Sequence, residues 1–199
     1  MLPRTLSETL SNVMGVPAST AVIFMRQLRE AKLLSKSGRG RAAADMTPLD
    51  AARAMVAMAA TPRPFHAVEA HDQFANTKLA QHSTGGLLDT LPETDGISAV
   101  AALIERYVNG QVDQHFKTTG VTWEARASAV DLVFMVTPPV SIQFRIVVNN
   151  QLVESRNYIQ EGAVAPQADL REYRRLSGRT FMALSDAFNA FMREDFLSA

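Results

Sequence analysis

SNVMGVPASTAVIFMRQLREAKLLSKSGRGR, residues 11–41, is the stretch whose reading decides the fold of the N-terminal part of this chain. Gly15 divides it. Before that glycine, Leu10, Val13 and Met14 fall at i, i+3 and i+4 and Ser7 is a good N-cap, so the spacing predicts a short helix over 7–14. Residues 1–5 carry no helix signal of their own. Gly15 tolerates the left-handed conformation that stops a helix. After Val16-Pro17 a second helix opens at Ala18 or Ser19, and Ala21, Phe24, Met25 and Leu28 repeat at the spacing of one buried stripe. LLSK, residues 33–36, reads as a short strand, and SGRGRA, residues 37–42, as a turn kept pliable by Gly38 and Gly40.

Working outward, the charge distribution singles out the same region. The chain has 199 residues, 47% of them hydrophobic, with 20 basic and 20 acidic side chains, so its formal charge is zero. Residues 1–46 nevertheless hold seven basic residues (Arg4, Arg26, Arg29, Lys32, Lys36, Arg39, Arg41) against three acidic ones (Glu8, Glu30, Asp45), a surplus of four that the remainder must balance. Zero net charge argues against a basic coat over the whole surface, and leaves a local basic patch as the feature to explain. The absence of cysteine removes disulfides, thiolate nucleophiles and Cys-based zinc sites together, and fits a reducing cytoplasm. The N-terminus, MLPRTLSETL, lacks a signal-peptide core, and no apolar run approaches the roughly 18 residues of a membrane helix. A soluble cytoplasmic protein with no membrane contact is expected.

Thr47-Pro48-Leu49-Asp50 is a helix start with a mechanism: threonine at the N-cap, proline where its missing N–H costs nothing, and an acid at N3. The helix should run to Ala60, where TPRP, residues 61–64, ends it. Residues 66–81 are weakly amphipathic, and STGGLLDTLPETDG, residues 83–96, reads as a loop or linker. Ile97 to about Asn109 forms a stronger helix, capped by Gly110 or continuing to Phe116. From Val121 the period changes to two, which puts Glu124 on a water-facing strand position. LVFMV, residues 132–136, is apolar on both faces, as a central strand would be, and Pro138-Pro139 ends it. SIQFRIVV, residues 141–148, alternates strictly, and Asn149-Asn150 closes a hairpin that sets Arg145 opposite Glu154. A strand near 170–176 and a helix carrying Phe181, Leu184, Phe188, Phe191 and Met192 complete the chain, the phenylalanines read as core or a dimer seam. The fold class is α+β: an N-terminal helical unit with a following helix (1–62), a helical connector (63–96), and an antiparallel sheet covered by helices (97–199).

Leu6, Gly15, Val16, Ser19-Thr20, Leu28, Ala31 and Leu33-Leu34, followed by SKSGRGR, resemble the winged helix-turn-helix of bacterial transcription regulators of the MarR and IclR kind. The resemblance covers residues 6–46 and implies a recognition helix at residues 18–30 lying in the major groove of duplex DNA, with a wing at residues 35–41 beside it. Ser19 and Thr20, with the amides of that helix start, suit phosphate oxygens. Arg26 reaches phosphate or guanine, Arg29 adds to the basic surface, and Lys36, Arg39 and Arg41 follow the backbone or minor groove. Val22 and Ile23 occupy positions that in the family face the groove; an apolar side chain there touches a thymine methyl, or docks a protein instead. The expected function is therefore a DNA-binding transcription regulator, of prophage type, working as a dimer on two half-sites, with the C-terminal domain for dimerisation or partner sensing. The alternative is an adaptor or assembly protein that uses the same helix pair for protein contact.

No catalytic constellation accompanies this. His66, His71, His82 and His115 form no metal signature, and read as exposed or capping histidines. TGGLLD at 84–89 lacks the lysine and the preceding strand of a phosphate loop, and no Gly-x-Ser-x-Gly elbow occurs. No enzyme activity, no cofactor and no metal are expected.

Overall fold

Pro3, not Ser7, starts the first helix. A computed structural model describes residues 1–35, 45–82, 85–162 and 172–197, and in it α1 spans Pro3–Met14. Proline in the first turn loses no hydrogen bond, so the helix begins four residues before the expected cap, and Ser7 ends up buried inside it with Leu6, Leu10 and Ser11. Gly15 closes α1 at φ 65°, its N–H bonding to the Ser11 carbonyl. Helix α2 spans Ala18–Glu30 and buries Ala21, Phe24, Met25 and Leu28, the stripe the spacing predicts. Lys32, at φ 61°, turns the chain out of it.

The expected strand at 33–36 is not formed: Leu33–Ser35 are irregular, and Lys36 lies outside the described residues. Ser35 is instead committed to the start of α3 (Pro48–Ala60). The Asp50 carboxylate, 1% exposed, accepts from the Ser35 N–H and hydroxyl (2.8 Å each), the Thr47 N–H (2.8 Å) and the Thr47 hydroxyl (2.9 Å). The Asp50 N–H donates back to Thr47 Oγ1, completing a capping box. Beyond that turn Ala51, Ala52, Ala54, Met55, Val56 and Ala57 are all fully buried, and a helix apolar all round must be enclosed on every side. Helices α1, α2, α4 (Ala67–Ala75) and α5 (Gly96–Val108) supply that enclosure.

TPRP does break the chain; a 3-10 turn at Pro64–His66 leads into α4. His71 on α4 is 5% exposed and paired through Nδ1 with Asp72 at 2.9 Å, which corrects its reading as a surface or capping histidine. The weakly amphipathic residues 66–81 divide into α4 and an edge strand, β1 (Thr77–His82). Asp95 caps α5, with Ser98 N–H at 2.8 Å from its carboxylate. Gly110, at φ 69°, separates α5 from α6 (Gln111–Thr118). The period of two expected from Val121 is overturned: Thr122 caps a helix, α7 (Trp123–Ala129), so Glu124 is helical and not on a strand. Then follow β2 (Val130–Met135), β3 (Ser141–Val148), β4 (Gln151–Gln160), β5 (Tyr173–Ser177) and α8 (Gly178–Leu197). This is an α+β fold.

The strands form one antiparallel sheet in the order β1-β4-β3-β2-β5, so β2 is interior as its two-faced apolarity requires. Residues of 1–62, 63–96 and 97–199 all contribute to one apolar cluster, in which α1 packs on α8, α3 on α5, and Phe74 of α4 edge-on against Phe134 of β2 at 5.8 Å. Phe181 of α8 stacks on Tyr107 of α5 at 5.4 Å, and Leu184 and Phe188 are buried, which gives the phenylalanine stripe its core role. The Tyr107 hydroxyl is buried with no hydrogen-bond partner, and desolvation pushes its phenol above the ordinary tyrosine range.

Two stability predictions follow from these contacts. Asp50→Ala, which leaves the Ser35 and Thr47 donors without their acceptor, should lower the unfolding free energy in urea by about 3 kcal/mol. Tyr107→Phe, which deletes an unpaired buried hydroxyl and keeps the stack, should be neutral or stabilising by up to about 1 kcal/mol in the same assay.

Candidate nucleic-acid interface

Of the expected DNA-contacting residues, the described part of the structure holds five, all on α2. Burying Ala21, Phe24, Met25 and Leu28 leaves the opposite face of the helix to solvent. Ser19, Ile23, Arg26 and Arg29 are exposed there together with Val22, whereas Thr20 is half-buried on the flank away from Val22. Val22 and Ile23 are 58% and 38% exposed, a high value for β-branched side chains in mid-helix. Lys36, Arg39 and Arg41, the expected wing, lie outside the described residues.

The start of α2 is electrostatically open. Its N-cap is Pro17, which makes no side-chain cap bond, and its first turn holds no acidic residue. Ala18 and Ser19 are exposed, so unpaired N–H groups and the positive end of the helix dipole face solvent together.

The flanking charges are arranged in pairs, of which the sequence reading singled out only Arg26 as a site residue, although their i, i+4 spacing was legible. Arg26 Nε lies 2.7 Å from Glu30 Oε1 on α2, and Arg4 Nε lies 2.7 Å from Glu8 Oε1 on α1. The hydrogen bond to its glutamate, followed by the coulombic attraction, raises each guanidinium above the ordinary arginine range. Arg29 and Lys32 have no acidic partner among the described residues. Between α1 and α2 runs a groove of about 620 Å³, floored by Val22 and Met25 and edged by Arg4, Glu8, Arg26 and Arg29. It is an apolar channel with a net positive rim.

A second polar cluster, unseen in the sequence, lies beneath β4. The two-residue turn Asn149-Asn150 has both residues at positive φ (51° and 62°), as the hairpin reading requires. The expected pairing of Arg145 with Glu154 is wrong, however. Val147 pairs with Leu152, a bulge follows, and Ile146 then faces Glu154 while Arg145 faces Ser155. One extra residue turns Glu154, Arg156 and Tyr158 onto the helix-covered face. Glu154 accepts the Leu88 N–H at 2.8 Å and lies 3.3 Å from His115 Nε2. Arg156, 1% exposed, donates to Tyr158 Oη (2.8 Å), the Asp89 carbonyl (2.9 Å) and the Leu91 carbonyl (2.7 Å), with the Asp89 and Glu93 carboxylates at 3.9 Å. Tyr158 donates to the Pro92 carbonyl, and Arg106 of α5 donates to the Leu87 carbonyl and, at 2.7 Å, to that of Thr90.

Residues 85–95, expected as linker, are therefore strapped to the sheet by side chains from β4 and α5. Gly86 stands at φ 103°, a conformation that favours glycine, and a Cβ there would run into the Glu154 carboxylate. Desolvation lowers the Arg106 guanidinium and raises the Tyr158 phenol, and all of these groups serve backbone partners of the strap. Among the described residues no group of three or more His, Cys, Asp or Glu side chains could hold a metal ion. No described helix is long and apolar enough to cross a membrane.

No family model, no curated protein and no solved structure matches the chain.

Arg156→Ala should lower stability by about 3 kcal/mol, since it strands three acceptors in a buried site. Native-state hydrogen exchange should then show the Leu88 amide losing protection ahead of amides in α3.

Proposed function

We propose that this chain binds duplex DNA through α1, the Gly15 turn and α2, as a cytoplasmic transcription regulator that works as a dimer. The observation that carries the reading is the solvent-facing ridge of α2: an uncapped helix start at Ala18–Ser19 is followed on one face by Ile23, Arg26 and Arg29. Such a start offers N–H groups to a phosphate. The arginines behind it supply charge-assisted bonds to phosphate or to guanine edges, and Ile23 offers an apolar contact for a thymine methyl. Lys36, Arg39 and Arg41 come directly after this unit in sequence and add three positive charges to it. One short ridge makes few base contacts, and pairing two of them on successive half-sites multiplies affinity. The C-terminal sheet and helices would then serve dimerisation or partner sensing.

A specific observation favours a second reading, an adaptor that docks protein on the same helix pair. The groove beside α2 is mainly apolar, Val22 is more than half exposed, and Arg4 and Arg26 are already held by glutamates. Salt dependence separates the two readings. For DNA binding, affinity for a random duplex, followed by fluorescence anisotropy, should fall with a log–log slope of about −0.9 per phosphate neutralised. Arg26→Ala with Arg29→Ala should make that slope shallower by about 0.9 for each contact removed, and Arg39→Ala with Arg41→Ala should do the same. A wild-type chain with no affinity for duplex at low salt abandons the DNA reading in favour of the adaptor.

A further inference from the structure

The most exposed large apolar side chain among the described residues is Phe65, at 79%. It stands in the sequence Pro62-Arg63-Pro64-Phe65-His66, on the 3-10 turn between α3 and α4. The turn is held stiffly. Two prolines fix their own φ; Arg63 N–H donates to Thr61 Oγ1 at 3.1 Å, His66 N–H to the Arg63 carbonyl at 3.0 Å, and Ala67 N–H to the Pro64 carbonyl. His66 is further tied to Glu69 at 3.2 Å. A rigid backbone therefore presents a phenyl ring to water, and little conformational entropy would be lost on seating that ring in a partner.

The position of the turn narrows what the partner is. It packs on α2, whose other border, on the side of Val22 and Arg29, belongs to α1. The turn that carries the ring thus lies beside the helix to which the DNA reading assigns the major groove. Its immediate neighbour Arg63 has no acidic partner among the described residues, and the one carboxylate at the turn, Glu69, is held by His66. An apolar ring presented next to an unpaired arginine, beside α2, suits a ligand that joins a flat apolar face to a polyanionic backbone, which describes a base step of duplex DNA.

We propose that Phe65 is a wedge: its ring enters between two adjacent base pairs flanking the segment contacted by α2 and bends the duplex there. The proposal rests on the DNA reading of α2 and extends it from contact to deformation. Unstacking costs least at pyrimidine–purine steps, so the wedge contributes sequence preference at a position where no hydrogen bond reads a base.

The test uses the full chain and short duplexes labelled at both ends for energy transfer, with a TA or CA step at the centre of one set and a stiff A-tract in the other. The wild-type chain should shorten the end-to-end distance of the flexible duplex more than that of the A-tract. Phe65→Ala should abolish the shortening and weaken binding to the flexible duplex roughly tenfold, the loss of one base–aromatic contact. Its log–log salt slope should not change, because no cation is lost. Phe65→Trp should restore the bend. Since Phe65 is exposed, the unfolding midpoint of Phe65→Ala should match the wild type, which separates this effect from misfolding. Tight binding with the same bend in Phe65→Ala overturns the wedge and leaves the DNA reading intact. A wild-type chain that binds neither duplex overturns both, and makes the ring a contact for a protein.

Discussion

Helix α3 has no polar side past its first turn, and that single constraint organises the molecule. Ala51 to Ala57 are buried around the whole circumference except at Arg53, which reaches the Leu33 carbonyl at 2.6 Å. Such a helix is stable only inside an enclosure, and small alanine side chains let the neighbouring helices approach closely. The Asp50 carboxylate then fixes where the helix begins, binding the end of the α2 segment through Ser35 and its own cap through Thr47. The helix pair α1–α2 is thereby oriented against the rest of the chain without a disulfide.

The sheet shows how a one-residue event redirects chemistry. Three polar residues of β4 lie on the helix-covered face because a bulge follows the Asn149-Asn150 turn. Buried charge of this kind is costly unless its donors and acceptors are met; here the carbonyls of residues 87–92 accept from Arg106, Arg156 and Tyr158, while the Leu88 N–H and His115 face the Glu154 carboxylate. The result is a loop held by polar bonds at a sheet that elsewhere is packed by phenylalanine, isoleucine and leucine. In this cluster Glu154, Arg106, Arg156 and Tyr158 are committed to backbone partners of the strap, and the reading of function rests on the exposed α2 end of the molecule.

At that end, the physical balance is between charge and apolar surface. Arg4 and Arg26 are each shared with a glutamate one turn away, and exposed pairs of this type are screened by water and add little to stability. A phosphate displaces such a partner readily, so the pairs hold the arginines in place without removing them from use. Val22, Ile23 and Phe65 keep apolar surface in water on α2 and on the turn packed against it. That combination of open helix start, exchangeable cations and presented apolar groups is what a surface for a stacked polyanion requires.

Helical elements were legible where a local mechanism marks them: Gly15 at the end of α1, the three-four spacing of α2, and the Thr47–Asp50 capping box of α3. The strict alternation of residues 141–148 and the double asparagine likewise marked β3 and its hairpin. These signals depend on neighbours within a few residues, which a single sequence contains. Some misreadings passed over a local signal, Pro3 at the start of α1 and the Thr122 cap of α7, and others arose where distant contacts outweigh local pattern: Ser35 captured by Asp50, and β1 hidden in a weak pattern at a sheet edge. By itself, then, the sequence determined the α+β class, most elements and the solvent-facing ridge of α2, because amphipathic spacing states which face is buried. Only the tertiary structure decided the β4 register, the strap over residues 85–95 and the neighbours of Phe65, because each depends on contacts between residues far apart along the chain.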